Sequence, residues 1–127
     1  MAERRLKPSI DWQPVFDEAL EIFVEYLQID TTNPPGNEAP AARFLGGLLE
    51  AAGIETEYVE IQPNREALFA TLRGDASKRA LMLCNHTDVV PVEEDYWTKP
   101  AFEGFIEEGK VYGRGAVDMK GCGVMQL

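Results

Sequence analysis

The sequence predicts an α/β fold in which helices pack on the faces of a β-sheet. Three observations predict it. Two segments carry apolar residues at helical spacing, and several apolar or alternating segments of strand length follow them. An apolar segment that begins another helix comes after a glycine-rich loop. The length of 127 residues and the hydrophobic content of 45% suit one small unit with its own core. The last predicted helix has only just begun when the sequence ends, so we expect a partial sheet.

The first two elements are predicted as amphipathic helices. In the first, the residues at helical spacing are Val15, Phe16, Ala19, Leu20, Ile22, Phe23, Tyr26 and Leu27. It ends before the segment DTTNPPGNE, whose prolines, glycine and asparagines disfavour regular structure. The second helix places apolar residues of the range 41–52 on one face, and Gly53 stands at its C-terminal cap.

The strand candidates follow the helices. IETEYVEI alternates in part, as a half-buried strand does. ALFATLRG and RALMLCNH are apolar runs joined by GDASK, and the second is polar only at its ends, which predicts a central strand covered on both faces. FIEEGKVYGRG predicts a hairpin that turns at Glu108 and Gly109, and AVDMKGCGVMQL predicts the beginning of a helix.

Charge and composition exclude several classes of partner. The net charge of −10 argues against nucleic acid and against an anionic membrane surface, because both require a cationic protein surface. No apolar run reaches the length of about 20 residues that a spanning helix needs. The N-terminus lacks the apolar core of a secretory signal, and two cysteines allow at most one disulfide. We therefore expect a cytoplasmic protein without nucleic-acid or membrane partners.

The first candidate functional motif is CNHTDVVP, which contains the one histidine of the sequence. Alternation along a strand places His86 and Asp88 on the same side. That spacing suits a metal-ligating imidazole whose second nitrogen donates to a carboxylate. For an isolated His-X-Asp, however, a capped or hydrogen-bonded strand end is the simpler interpretation. Ligands of α/β proteins bind beyond the carboxyl ends of the strands, which favours the functional interpretation.

The second candidate motif is YGRGAVDMKGCG, in which Asp118 and Lys120 stand among four glycines. Glycine at such density indicates sharp turns or close approach of the backbone to something else. A solvated Asp–Lys pair, or an N-cap on the next helix, is the structural alternative. The spacing of a phosphate-binding loop, Gly-X-X-X-X-Gly-Lys-Ser/Thr, is absent, which disfavours a nucleotide or phosphate binder.

Together, HTDVVP, WTKPAF and GKVYGRGAVDMKG resemble the zinc-dependent exopeptidase and deacylase family, which includes acetylornithine deacetylase, succinyl-diaminopimelate desuccinylase, glutamate carboxypeptidases and aminoacylase. The resemblance begins near LQIDTTNPPGNE. It implies a partial three-layer α/β/α sheet of the zinc-exopeptidase type, with residues 1–127 as the N-terminal portion of a metallohydrolase catalytic domain. The lid (dimerisation) domain and the C-terminal half of the family fold are expected to be absent from these residues.

The resemblance also implies the roles of single residues. His86 would ligate one of two Zn²⁺ ions, for which Co²⁺ or Mn²⁺ are possible substitutes. Asp88 would be the catalytic residue that holds the imidazole and tunes the site. Asp118 would bridge the two ions, with a cis peptide bond to Met119. The implied reaction is hydrolysis of an amide or peptide bond of an N-acyl amino acid or small peptide by a zinc-activated water, in a full-length form that dimerises.

The family's remaining groups, a Glu-Glu pair, another acid and a second histidine, lie further downstream than Leu127. The pairs Glu93-Glu94 and Glu107-Glu108 precede Asp118 and are expected to be solvated acids. We therefore expect residues 1–127 alone to be inactive and to bind metal weakly. The rival hypothesis is a non-catalytic metal-binding or assembly fragment, since an unfinished sheet exposes an edge that can pair with another chain.

Overall fold

The computed structural model describes residues 10–127, so only the end of the N-terminal segment considered above falls within it. The first helix, α1, spans Trp12–Gln28, and the side chain of Asp11 caps it by accepting a hydrogen bond from the backbone N–H of Gln13. The second helix, α2, spans Ala39–Ala51 with a proline in its first turn. Gly53 follows with a φ of 77°, the left-handed conformation predicted for its cap position. Both helix predictions are confirmed.

The strands form two separate antiparallel pairs. Strand β1 (Glu55–Gln62) pairs with β2 (Arg65–Thr71), and β3 (Phe105–Glu107) pairs with β4 (Lys110–Tyr112). Glu108 and Gly109 turn the second hairpin with φ angles of 51° and 73°, as its sequence predicts. The predicted class, a partial α/β fold, is confirmed.

The predicted central strand over residues 79–86 is wrong. These residues form no regular element, and the side chains of Leu81 and Met82 are 83% and 85% exposed. A strand needs a hydrogen-bonded neighbour and covered faces, and residues 10–127 offer this run neither. Pairing begins just after it, where Val89 forms an isolated parallel bridge with Thr32.

The core lies between α1, α2 and the C-terminal helical segment. Its buried side chains are Tyr26, Ala41, Leu45 and Val124, and the partly buried apolar residues around them come from α1, the residue that follows it, α2 and β2. The C-terminal segment consists of an irregular helical turn, Ala116–Lys120, and the short helix α3, Gly121–Val124. The peptide bond between Asp118 and Met119 is cis, as the resemblance implied. No helix among residues 10–127 is long and apolar enough to cross a membrane.

Candidate metal centre

The two predicted site motifs meet at the imidazole of His86. Its Nε2 lies 3.0 Å from Oδ1 of Asp118, although 32 positions separate the two residues in the sequence. Its Nδ1 lies 3.2 Å from Oδ1 of Asp88 and 3.1 Å from that residue's carbonyl oxygen. The ring therefore stands between two carboxylates, one at each nitrogen.

The segment after α1 holds the histidine motif in place. The hydroxyl of Thr31 donates to the carbonyl of Thr87 at 2.6 Å, and the backbone N–H of Val89 donates to the carbonyl of Thr31 at 3.1 Å. Thr31 is fully buried, so these contacts are shielded from water. The side-chain amide of Asn33 donates to Oδ2 of Asp88 at 2.9 Å, which leaves Oδ1 of that carboxylate facing the imidazole.

Neither Thr31 nor Asn33 was recognised from the sequence as part of the site. Their segment, DTTNPPGNE, was interpreted only as irregular. Its signal was the concentration of hydrogen-bonding side chains between two apolar helices, because a loop with such side chains can pair with another irregular segment.

The charges around the ring shift two pKa values in opposite directions. Partial burial lowers the pKa of His86, but the hydrogen bonds to the Asp88 carbonyl and the Asp118 carboxylate, with the charges of both acids, outweigh burial and raise it overall. The pKa of Asp88 is lowered, chiefly by the hydrogen bond from Asn33 and further by the charges of His86 and Arg65, against a smaller opposing effect of burial. The centre therefore favours an ionised Asp88 beside the imidazole.

The second half of the centre stands on the turn Ala116–Lys120. The side chain of Asp118 is 86% exposed, so its carboxylate faces solvent as well as the imidazole. Lys120 is only 1% exposed and donates to backbone carbonyls at the end of α1, so the interpretation of Asp118 and Lys120 as a solvated pair is wrong. Burial lowers the pKa of Lys120 to about 8, against the opposing attraction of Asp30.

The acidic pairs considered as substitutes lie in other surroundings. Glu94 begins a single helical turn, Glu94–Tyr96, and Glu108 occupies the tip of the β3–β4 hairpin. Glu107 accepts a hydrogen bond from Lys99 at 2.8 Å. All four acids of these pairs are exposed, as expected from the sequence.

The donor set fits one edge of a zinc coordination sphere. Zinc binds imidazole nitrogen and carboxylate oxygen at about 2.0–2.2 Å, which places two ligand atoms of a tetrahedral site about 3.3 Å apart. The observed separation of 3.0 Å between Nε2 of His86 and Oδ1 of Asp118 is close to that. Among residues 10–127, however, no cluster of three or more His, Cys, Asp or Glu side chains is arranged to hold a metal ion. The residues present fit part of a site, and the ligand roles stay predictions.

Comparisons with known proteins agree with the resemblance. Residues 82–127 match the family described as Peptidase family M20/M25/M40. The chain is 34% identical over 111 residues to aminoacylase-1 of Sus scrofa, an alignment that covers 86% of this chain and 27% of that protein. It is 43% identical over 89 residues to a succinyl-diaminopimelate desuccinylase of Methylobacterium sp., covering 66% of this chain and 22% of that protein.

A third relative is the N-formyl-4-amino-5-aminomethyl-2-methylpyrimidine deformylase of Halalkalibacterium halodurans, with 33% identity over 109 residues, or 83% of this chain and 26% of that protein. The chain thus spans about a quarter of the length of these curated relatives. The resemblance to the exopeptidase and deacylase family is confirmed, and at this coarse level the relatives are hydrolases.

Proposed function

We propose that this chain, whose residues 82–127 match Peptidase family M20/M25/M40, is the N-terminal portion of the catalytic domain of a zinc-dependent amidohydrolase. The proposed substrate is an N-acyl amino acid or a small peptide, and the proposed full-length form is a homodimer in the cytoplasm. The observation that carries the proposal is the imidazole of His86 held between Asp88 and Asp118. A net charge of −10 supports leaving nucleic acid and membranes out of the proposed partners.

Each member of this trio has a proposed task. His86 would hold a zinc ion through Nε2, and Asp118 would hold it through its carboxylate, which would be shared with a second ion. Asp88 accepts a hydrogen bond from Nδ1–H, which fixes the tautomer that leaves Nε2 free to ligate. Asn33 keeps Asp88 in place for that task. Zinc, when bound, supplies an electrophile that polarises the amide carbonyl and acidifies a water molecule.

Two ligand atoms make a weak site, so residues 1–127 alone are proposed to be inactive. The test of the metal assignment is a calorimetric zinc titration of the chain and of His86→Ala and Asp118→Ala. Asp95→Ala serves as the control, since it removes an exposed carboxylate from the helical turn Glu94–Tyr96, outside the candidate centre. We expect weak binding that both site substitutions abolish and the control preserves. Unchanged stoichiometry in both site variants would remove the assignment.

The proposed inactivity has its own assay. Hydrolysis of N-acetylated amino acids is measured with the zinc-loaded chain and with zinc alone at the same concentration. We expect equal rates in the two samples. An enzyme-like rate with the chain would contradict the inactivity and would show that residues 1–127 hold the whole catalytic apparatus.

A second candidate function, a non-catalytic assembly fragment, is favoured by one observation. The apolar run at residues 81–83 is 57–85% exposed at each side chain and has no strand partner among residues 10–127. An exposed apolar run of that kind can add a strand to another chain. Analytical ultracentrifugation of the chain and of Met82→Lys tests it. Concentration-dependent association that the substitution abolishes would favour assembly, and a monomeric parent chain would eliminate it.

A further inference from the structure

Lys120 carries a buried charge in a position that links two parts of the fold. Its side chain is 1% exposed, and its Nζ donates to the carbonyl of Tyr26 at 3.0 Å and to the carbonyl of Ile29 at 2.6 Å. Nζ also lies 4.7 Å from the centre of the Tyr26 ring. An ammonium this deeply buried is costly unless it is partnered, and the carbonyls at the C-terminal end of a helix are partners of the right sign. Lys120 thereby ties its own turn to the end of α1.

The turn that Lys120 ends is the one that carries Asp118. At the start of the turn, Gly115 is buried with a φ of 85°, and a Cβ there would lie 2.6 Å from Cγ1 of Val89. At its end, the backbone N–H of Lys120 donates to the carbonyl of Gly115 at 2.8 Å. Because the side chain of Asp118 is 86% exposed, packing does not hold it. The carboxylate therefore takes its position from the turn beneath it.

The backbone that Lys120 binds continues directly into the segment that holds the histidine motif. Ile29, whose carbonyl accepts from Lys120, is followed two positions later by Thr31, which accepts from the backbone N–H of Val89 and donates to the carbonyl of Thr87. Both halves of the candidate centre are thus attached to residues 29–33. The turn with Asp118 is attached through Lys120, and the motif with His86 is attached through the hydrogen bonds of Thr31. The distance between the halves depends on that common attachment.

We propose that Lys120 is a positioning residue of the centre: by binding two carbonyls at the end of α1, its ammonium holds the carboxylate of Asp118 within hydrogen-bond distance of Nε2 of His86. This deepens the proposed function, on which its relevance to metal binding rests. The distance between Asp118 and His86 is a property of the chain without metal, so the role of Lys120 can be tested separately from metal binding.

The test uses Lys120→Met, which keeps an unbranched side chain as far as Cε and removes the ammonium with its donors. Lys78→Met is the matched control, because it removes one positive charge from an exposed turn. The readout is the ¹⁵N signal of each imidazole nitrogen, which is unambiguous because His86 is the single histidine. We expect Nε2, opposite Asp118, to move to the position of a solvated imidazole nitrogen in Lys120→Met, while Nδ1, opposite Asp88, stays. The control should move neither signal.

A merely structural role for Lys120 would lower the thermal midpoint and leave both nitrogen signals of the folded chain unchanged, and that result would overturn the proposal. Amide dispersion verifies folding. Should Lys120→Met not fold, Lys120→Gln decides, since it lacks the ammonium and its shorter side chain ends before the two carbonyls that Nζ reaches. A shifted Nε2 supports the proposal and an unshifted one overturns it. Lys120→Arg, which keeps a cation and donors, should restore the parent Nε2 signal at least in part.

Zinc titration of the same variants separates the two proposals. We expect Lys120→Met to weaken zinc binding about tenfold, the loss typical of residues that orient metal ligands. If the parent chain binds no zinc while Nε2 still responds to Lys120→Met, the metal function fails and the positioning role stands. If the parent binds zinc and the substitution changes neither affinity nor Nε2, the positioning role fails and the metal function stands.

Discussion

Replacing Tyr26 with phenylalanine deletes one buried hydroxyl of the core and leaves the ring. Tyr26 is fully buried, its Oη has no hydrogen-bond partner among residues 10–127, and burial raises the pKa of the phenol well above its ordinary value. A buried hydroxyl without a partner costs about 1–3 kcal/mol. The phenylalanine ring keeps the stacking on Phe44, whose centroid lies 6.1 Å away, and the contact with Nζ of Lys120. Taking the lower end of that range, we expect Tyr26→Phe to raise the free energy of unfolding by about 1 kcal/mol.

The assay is urea denaturation at pH 7 followed by tryptophan fluorescence, with thermal unfolding as a second measurement. A gain of about 1 kcal/mol corresponds to a rise in Tm of about 4 °C for a chain of this size. The control is Tyr58→Phe, because Tyr58 donates to Glu50 at 2.8 Å and the loss of this hydrogen bond should lower stability. A gain in stability for Tyr26→Phe together with a loss for Tyr58→Phe would support the reasoning. A Tyr26→Phe chain less stable than the parent would refute it.

Three further predictions concern the centre and a helix. The partners of His86 raise its pKa, so NMR titration of the folded chain should give a pKa above the ordinary value of 6.5. The pKa of His86 should be lower in Asp88→Asn than in the parent chain. A histidine whose pKa is higher in the folded than in the unfolded chain stabilises the fold fully below the unfolded pKa, and this stabilisation is lost as pH rises through the folded pKa. The urea midpoint should therefore fall between these two pKa values, and it should fall less in Asp88→Asn. Gly115→Ala should lower the free energy of unfolding by about 1–3 kcal/mol, because a Cβ there meets Val89 at a φ of 85°. Gly47→Ala, in the interior of α2 with open space at its Cβ position, should raise it by about 1 kcal/mol, and urea denaturation checks both.

The elements predicted correctly from the sequence depend on local interactions. The helices α1 and α2 repeat apolar residues at helical spacing, and the β3–β4 hairpin contains two neighbouring residues, Glu108 and Gly109, that both adopt positive φ. Residues close in the sequence determine such elements, and so the prediction needs no knowledge of what packs against them. The run at 79–86 has strand composition as well, but a strand depends on a neighbour that residues 10–127 do not provide.

The sequence by itself determined that His86, Asp88 and Asp118 were the residues to examine, because imidazole and carboxylate groups in those motifs carry recognisable chemistry. Tertiary structure alone decided that Nε2 of the imidazole stands 3.0 Å from the carboxylate of Asp118. It also decided that Lys120 is buried against α1 and that Asn33 binds Asp88. These contacts join residues 32 to 94 positions apart. No periodicity or spacing encodes them, because they exist only where separate segments pack together.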